Sequence, residues 1–437
     1  MKRVRPRTPR ESRRRRAASW LALAAVAVGL GSCCCSKDNT DDPPPPAPAA
    51  EEHGTYRVAS GVPVLTLWGT PYQRGFAHGK LVAPQILETA DVIAGTHLLL
   101  WDPGDYERVI IPMMERFRFS ADDEAELRGL LDGIQAAVGE EAVLERLDRP
   151  ITLADLKAYN TAGDWYRQAC SSFAAWGKRG ENGHVWVGRN FDFLPSKMFY
   201  KNQMIVVHRR RAEKKAWATV TAPGMIGCVT GMNEDGVFVS VHDVFLKRRP
   251  LEKGYTPRLL TLRRLMETCE ARDLDAQARP LLEARKQMFD NAILLAAPVT
   301  DGTLPALVFE YNNDYSKDKG VTVRTSADNS GLFSDEMILC TNHFRKRVGR
   351  KLTPARYRYP LMQTVMLNRT KKGRGMNFHG ARRTMGAARL PITIHTAIAD
   401  LNTFEFWFAS GKYLNPPGGR DFVKLPMDEW LHPEKAR

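Results

Sequence analysis

Cys170-Ser171-Ser172-Phe173-Ala174-Ala175-Trp176, Gly177-Lys178-Arg179-Gly180-Glu181-Asn182-Gly183, His184-Val185-Trp186-Val187-Gly188-Arg189-Asn190-Phe191-Asp192: these three consecutive stretches decide the fold. Ser172–Trp176 is a short, mostly apolar run of strand-compatible residues, and His184–Arg189 alternates apolar with polar. The Gly/Asn-rich stretch between them has the composition of a loop joining paired strands. The pattern predicts a β-hairpin that returns Arg189 and Asp192 to the neighbourhood of Cys170. Strict alternation puts Arg189 and Asp192 on opposite faces, so both reach the thiol only if the strand bends or ends there. A second polar cluster, Cys340-Thr341-Asn342-His343-Phe344, follows much later. A thiol, charged groups to position it and an amide donor for an oxyanion together point to acyl transfer by a cysteine. A lone cysteine is more often a small buried hydrophobe; the partners shift the reading towards chemistry.

Outward from the hairpin, Val62–Trp68 reads as a strand. Helical patterns begin near Tyr72 and run through Leu87, then occupy Tyr106–Phe119, Ala121–Gly139 and Leu153–Tyr166. After Ser171 the character changes to short strands at Met204–His208, Ala216–Thr221 and Val237–His242. Helix returns over Pro257–Arg285 and Pro354–Leu367, with strands at Ala292–Ala297, Ala306–Tyr311, Ile338–Thr341, Ile392–Ala397 and Phe404–Ala409. Helices, hairpins, more helices and more strands indicate an α+β domain with mostly antiparallel sheet. Strand runs apolar enough to be covered on both faces predict two sheets stacked between helical layers.

The start of the chain reads differently. Residues 1–16 hold nine basic side chains against Glu11 alone, an apolar run follows from Trp20 to Leu30, and Leu30-Gly31-Ser32-Cys33 comes next. This is the order of a secretory signal, and the apolar run is shorter than the roughly 20 residues that span a bilayer. Leu-Gly-Ser-Cys resembles a bacterial lipobox, which implies cleavage before Cys33 and lipidation of its thiol. The expected organisation is a signal peptide over 1–32, a Pro/Asp-rich linker over 33–55 and a catalytic domain over 56–437. The expected location is the bacterial cell envelope, lipid-anchored and facing periplasm or exterior. Four consecutive prolines favour extended polyproline II, a stiff spacer.

The formal net charge is +15, and removing the +8 of residues 1–16 leaves +7. The densest remaining basic cluster, Lys371-Lys372-Gly373-Arg374, lacks interleaved aromatics and any nucleic-acid module, so no nucleic-acid partner is expected. Of seven cysteines, Cys33 to Cys35 sit at the processing site, and Cys170, Cys228, Cys269 and Cys340 lie in the body with spacings that suggest no disulfide framework. There is no Cys-x-x-Cys and no His-Glu-x-x-His, so neither metal nor cofactor is expected.

Four segments, in order, carry a resemblance: Gly69-Thr70-Pro71-Tyr72-Gln73-Arg74-Gly75-Phe76-Ala77-His78-Gly79; Cys170 with Arg189-Asn190-Phe191-Asp192; Pro223-Gly224-Met225-Ile226-Gly227 leading to Gly231-Met232-Asn233-Glu234-Asp235-Gly236; and Cys340-Thr341-Asn342-His343-Phe344. The chain resembles the cysteine-type N-terminal-nucleophile hydrolases of peptidase family C45, related to acyl-coenzyme A:6-aminopenicillanate acyltransferase. More distantly it is similar to acid ceramidase and to the bile-salt (choloylglycine) and penicillin V acylases. The resemblance implies a four-layer αββα sandwich and a precursor that cleaves itself between Ala169 and Cys170, the two chains (56–169 and 170–437) staying associated. It implies Cys170 as nucleophile, Arg189 and Asp192 as residues orienting the thiol and the new amine, and Asn342 as oxyanion donor. Asn233 and Arg356 are implied as further oxyanion or substrate contacts, and a small N-acyl or thioester compound as substrate. Ala169 before the nucleophile, Ser171 after it where relatives often have threonine, and a longer hairpin turn depart from the pattern.

Other readings stand beside this one. Arg189 with Asp192 could be a surface ion pair, Asn342 a turn cap, and Gly231–Gly236 a hairpin turn, while His78 and His343 read as satisfied hydrogen-bonders. Competing functions are a lipid-directed, ceramidase- or phospholipase-like hydrolase, a non-catalytic binding lipoprotein with this fold, and a transpeptidase-like enzyme using Cys170 with His184 or His242 as base.

Overall fold

The computed structural model describes residues 49–436 apart from 96–104, 140–141, 167, 245–250, 301, 313–317, 330–334, 348–356, 371–372, 413 and 419–420. The expected signal peptide, Cys33 and most of the linker lie outside the described residues. Among them, the first elements are β1 (Ala49–Glu51), β2 (Gly54–Ala59) and β3 (Val62–Leu67). The folded body therefore begins inside the stretch expected to be linker, ahead of Tyr56. The reason is that β1 is held by backbone pairing, Ala49 opposite Tyr56 and Ala50 opposite Thr55, which needs no apolar side chain and leaves no hydropathy signal.

The expected helix from Tyr72 to Leu87 is two helices, Pro71–Leu81 and Ala83–Ala94. Thr70 caps the first through a capping box with Gln73. Pro84, which cannot donate a backbone hydrogen bond, sits in the first turn of the second, so the chain restarts at Val82. Gly75 and Gly79 pack against Gly129 and Gly133 of the helix Ala121–Val138. A Cβ on Gly75 would lie 2.0 Å from the Glu126 carbonyl oxygen, and one on Gly133 would lie 2.1 Å from that of Phe76. The first resemblance motif is thus a helix-crossing device. A small hairpin, β4 (Val143–Leu144) with β5 (Arg149–Pro150), and the helix Leu153–Asn160 lead to the decisive stretch.

That stretch is the predicted hairpin, β6 (Ala169–Gly177) and β7 (Gly183–Asp192). It is followed by β8 (Met204–His208), β9 (Trp217–Thr221), β10 (Thr230–Asn233) and β11 (Phe238–Asp243). Next come β12 (Asn291–Ala296), β13 (Ala306–Tyr311), β14 (Val321–Arg324) and β15 (Met337–Cys340). The last strands are β16 (Thr393–Asp400), β17 (Glu405–Ser410) and β18 (Val423–Leu425). One sheet runs β1-β2-β3-β8-β9-β10-β11-β12-β13-β14 and the other β15-β6-β7-β16-β17-β18. All neighbours are antiparallel except β3 with β8.

Alternation along the strands assigns the layers. Val62 and Val64 of the first sheet share a buried cluster with Ala174, Val185 and Val187 of the second, so these faces pack on each other. Leu65 and Leu67 point the other way, onto Ile86, Leu127, Leu130 and Leu262 of the first helical layer. Phe173, Ala175 and Trp186 leave the second sheet's outer face and meet Met362, Met366 and Met385. Those methionines belong to the helices Arg358–Thr370 and Phe378–Ala387. The architecture is the expected four-layer αββα sandwich.

Candidate active site

Strand register builds the site. In β6 and β7, Cys170 lies opposite Phe191 and Ser172 opposite Arg189. Arg189 is therefore a diagonal neighbour of Cys170 on the same face, the one between the sheets. Its Nη2 donates to Cys170 Sγ at 3.3 Å and its Nη1 to the Val229 carbonyl at 2.6 Å. Val229 is presented by the Pro223–Gly227 segment. There the Gly224 amide donates to His78 Nε2 at 2.8 Å, and Asn160 bonds the Gly224 carbonyl and the Ile226 amide. The first and third resemblance motifs thus converge on the arginine that touches the thiol.

Asp192 resolves the question of faces. It ends β7, and its carboxylate lies away from Arg189, accepting from Arg358 Nη1 at 2.6 Å and from the Thr393 hydroxyl. Only its backbone reaches the thiol, through an amide hydrogen bond that favours the thiolate. Arg358 carries the connection onward, donating through Nη2 to the Cys170 carbonyl at 3.1 Å and to Asn342 Oδ1.

Asn342 lies two residues past Cys340, which pairs with Ser172, so continued register sets it opposite Cys170. Its Oδ1 accepts from the Cys170 amide at 2.9 Å, and its Nδ2 donates to the carbonyls of Gln168 at 3.2 Å and Asp243 at 2.8 Å. Two donors on one atom fix which end is oxygen. Gln168 is held from its other side, its amide donating to Asp243 Oδ2 at 2.6 Å. Arg258 braces Asp243 in turn, donating to its carboxylate, to Asn291 Oδ1 and to the Gly163 carbonyl. The backbone on either side of the Ala169–Cys170 bond is clamped.

Cys170, Arg189, Asp192, Asn342 and Arg358 are fully buried. Burial pushes the Cys170 thiol above its ordinary range, and the Asp192 charge adds to this, while Arg189 and Arg358 pull the other way. Burial also raises the Asp192 carboxyl, opposed chiefly by Arg358. In the continuous chain the thiol is thus a neutral group out of solvent's reach.

One expectation needs correction. Asn233 is not an oxyanion donor: its Nδ2 donates to the carbonyls of Met266 and Cys269, and its Oδ1 accepts from the amides of Asp235 and Val237. With both N–H groups spent on the end of the helix Arg258–Thr268, none remains for a substrate. Arg356 lies outside the described residues; among the described residues the arginine at the site is Arg358. Asp243 was also missed; a carboxylate ending a strand after His242 was the available signal.

The histidine-base alternative fails on geometry. His184 pairs with Asp400 at 2.8 Å near the turn end of β7. His242 Nδ1 bonds the Ala292 carbonyl at 3.1 Å and its Nε2 bonds Ser172 Oγ at 2.9 Å, not the thiol. His343 bonds the Thr341 hydroxyl, as expected, whereas His78 departs from expectation: its Nε2 accepts the Gly224 amide but its buried Nδ1 has no hydrogen-bond partner among the described residues.

Residues 178–372 match the family model described as Acyl-coenzyme A:6-aminopenicillanic acid acyl-transferase. The matched stretch spans 195 of the 437 residues, and over it the chain is similar to that family. The match takes in Arg189, Asp192, Asn342 and Arg358 and begins just after Cys170. Among solved structures, an N-acylethanolamine-hydrolyzing acid amidase ortholog from Caenorhabditis elegans is 13% identical, with TM-score 0.39, covering 59% of this chain and 100% of its own. A mutant of the conjugated bile acid hydrolase from Clostridium perfringens gives 13%, 0.39, 60% and 93%. Penicillin V acylase from Agrobacterium tumefaciens gives 14%, 0.36, 55% and 83%. No curated protein sequence matches the chain.

Proposed function

We propose that the protein is a self-processing amidohydrolase or acyltransferase that acts on linear N-acyl compounds through a Cys170 acyl-enzyme. The observation that carries the reading is the single amide of Asn342, which holds the Cys170 N–H and the Gln168 carbonyl at once while Arg189 touches the thiol. In the uncut chain, Cys170 Sγ attacks the Ala169 carbonyl carbon. The C–N bond breaks, the thiol proton passes to the departing nitrogen, and water hydrolyses the thioester to a carboxylate at Ala169 and a free amine at Cys170.

That amine, with an ordinary pKa of about 7.7–8.0, is a base beside a thiol that no histidine contacts among the described residues. It takes the thiol proton, the thiolate attacks a substrate carbonyl, and the proton is returned to the leaving amine. Water or a second amine then resolves the acyl-enzyme. Once the Gln168 segment moves away, Asn342 Nδ2 has a hydrogen free for the oxyanion, where one donor is worth roughly 10²–10³ in rate. Arg358 keeps Asp192 and Asn342 in register with the nucleophile.

The leader supports a further proposal: lipidation at Cys33 would hold the enzyme on a bacterial envelope membrane. Replacing Cys33 by Ala should then release the protein from the membrane fraction. Intact mass and N-terminal sequencing test the central reading. The expected result is two associated chains, the second beginning at Cys170, and one uncut chain in Cys170→Ala. An uncut polypeptide with full activity on an N-acyl panel would overturn it.

A further inference from the structure

Arg374, which the acyl-transfer reading leaves unused, lines a cavity of about 680 Å³ at the turn end of the β6–β7 hairpin. Lys178, Arg369, Arg374 and Arg383 surround it with His379, and Glu181 is the one carboxylate in its lining. Glu181 is engaged by the Asn377 amide at 2.9 Å. Among the described residues, none of the four cations forms an ion pair. Burial holds the Arg369 guanidinium below its ordinary range; the Glu181 charge opposes this, and the charges of Arg374 and Arg383 add to it.

The cavity is built rather than incidental. The Glu181 amide donates to the Met376 carbonyl at 2.8 Å and the Met376 amide to the Arg179 carbonyl at 2.6 Å, so the hairpin turn and the 373–377 loop pair as short strands. Arg369 Nε donates to the Gly375 carbonyl at 2.8 Å, which leaves its terminal nitrogens for the cavity. Gly375 is required there, because a Cβ would lie 2.6 Å from the Glu181 nitrogen. Asn377 caps the helix Phe378–Ala387, whose first turn forms one wall.

We propose that this cavity binds a phosphate-bearing ligand of at least two negative charges, an oligophosphate or the phosphomonoester end of a larger molecule. Guanidinium forks match phosphate oxygens bidentately, and four cations against one acid leave an excess of three charges that a monoanion cannot neutralise. The site is separate from the thiol. Cys170 is the second residue of β6 and Gly177 the last, and seven residues at about 3.3 Å each separate them by about 23 Å. Its occupant therefore binds without touching the reacting atoms.

Titration calorimetry with inorganic pyrophosphate on the full-length protein tests this. Arg374→Gln/Arg383→Gln removes two exposed side chains that make no hydrogen bond among the described residues. It should weaken binding at least tenfold, leaving acyl transfer and melting temperature unchanged, and affinity in the wild type should fall as NaCl is raised. Absence of binding by the wild type at low salt, or equal binding by the variant, would overturn the proposal. Sedimentation with phosphatidylcholine vesicles containing phosphatidic acid separates the sources. Pelleting that pyrophosphate competes away makes the ligand a lipid headgroup, and pyrophosphate binding without pelleting makes it a soluble phosphate.

Discussion

Replacing Arg358 by Gln tests the buried frame of the site most directly. Arg358 and Asp192 form a fully buried pair at 2.6 Å, and the same guanidinium holds the Cys170 carbonyl and Asn342 Oδ1. Removing one partner of a buried pair costs about 3–5 kcal/mol, because the other charge stays buried and unpaired. Asp192 keeps only the Thr393 hydroxyl. The body over Ala47–Arg437 unfolds with an entropy of about 0.8 kcal/mol per kelvin at about 2.1 cal/mol/K per residue, so the loss corresponds to about 4–6 °C in Tm. Asp192→Asn in the same chain removes the stranded charge and should restore most of that shift. Self-cleavage should stay impaired in both variants, because Asn342 has lost the donor that fixes its oxygen towards the Cys170 amide. Calorimetry reads the first quantity and a denaturing gel over time the second. A double variant that melts no higher than Arg358→Gln, or an Arg358→Gln chain that processes at the wild-type rate, would refute the reasoning.

Asn342→Ala should slow both self-cleavage and turnover by roughly 10²–10³, whereas Cys170→Ser should process slowly and turn over poorly because a hydroxyl ionises far less readily than a thiol; rates on an N-acyl panel read both. Asn233→Ala should cost about 2–4 kcal/mol, since it strips partners from two carbonyls and two amides. The folded fraction should keep its kcat, which chemical denaturation and active-site titration can check. Acid should destabilise the fold through its buried histidines. His78 is lowered from 6.5 to about 4, chiefly by burial, and its Nε2 accepts the Gly224 N–H. A depressed pKa means stability that is fully present above pH 6.5 and lost as pH falls to about 4, worth up to about 3 kcal/mol. Tm measured between pH 7 and 4.5 should fall, and less steeply in His78→Gln, which retains an acceptor.

The sequence made the hairpin legible because two strand-like runs flank a turn whose glycines and asparagine serve it, Asn182 and Gly183 both taking positive φ. It made Cys170, Arg189 and Asn342 legible because register alone brings them together. Facing was harder to read. Alternation predicted that Arg189 and Asp192 would diverge, and they do, but nothing local announced that Arg358 would carry the Asp192 charge back to the nucleophile. Asn233 misled for the opposite reason. An amide in a Gly-rich turn has the same letters whether its donors face a substrate or the end of the helix Arg258–Thr268, and only the packing of that helix decides. Short backbone-held strands such as β1 and β10 left no hydropathy trace, since their pairing is made by main-chain groups.

The closed state of the thiol follows from the same contacts that prepare it to react. Gln168 occupies both an Asn342 donor and the Asp243 carboxylate, so a substrate carbonyl and the chain's own backbone compete for one place. While Ala169 is bonded to Cys170, that competition is intramolecular and the backbone wins by effective concentration. On the proposed mechanism, cutting the bond changes two things at once. It creates a carboxylate at Ala169 among buried groups that already include Asp192 and Asp243, where an unpaired charge is expensive. It also turns the Cys170 amide into an amine that still faces Asn342 Oδ1. The first change drives the old chain end out of the pocket, and the second installs the base. On the proposed mechanism, the segment that ends at Ala169 is therefore both the first substrate and the plug, and removing it is what exposes the oxyanion donor to every later substrate.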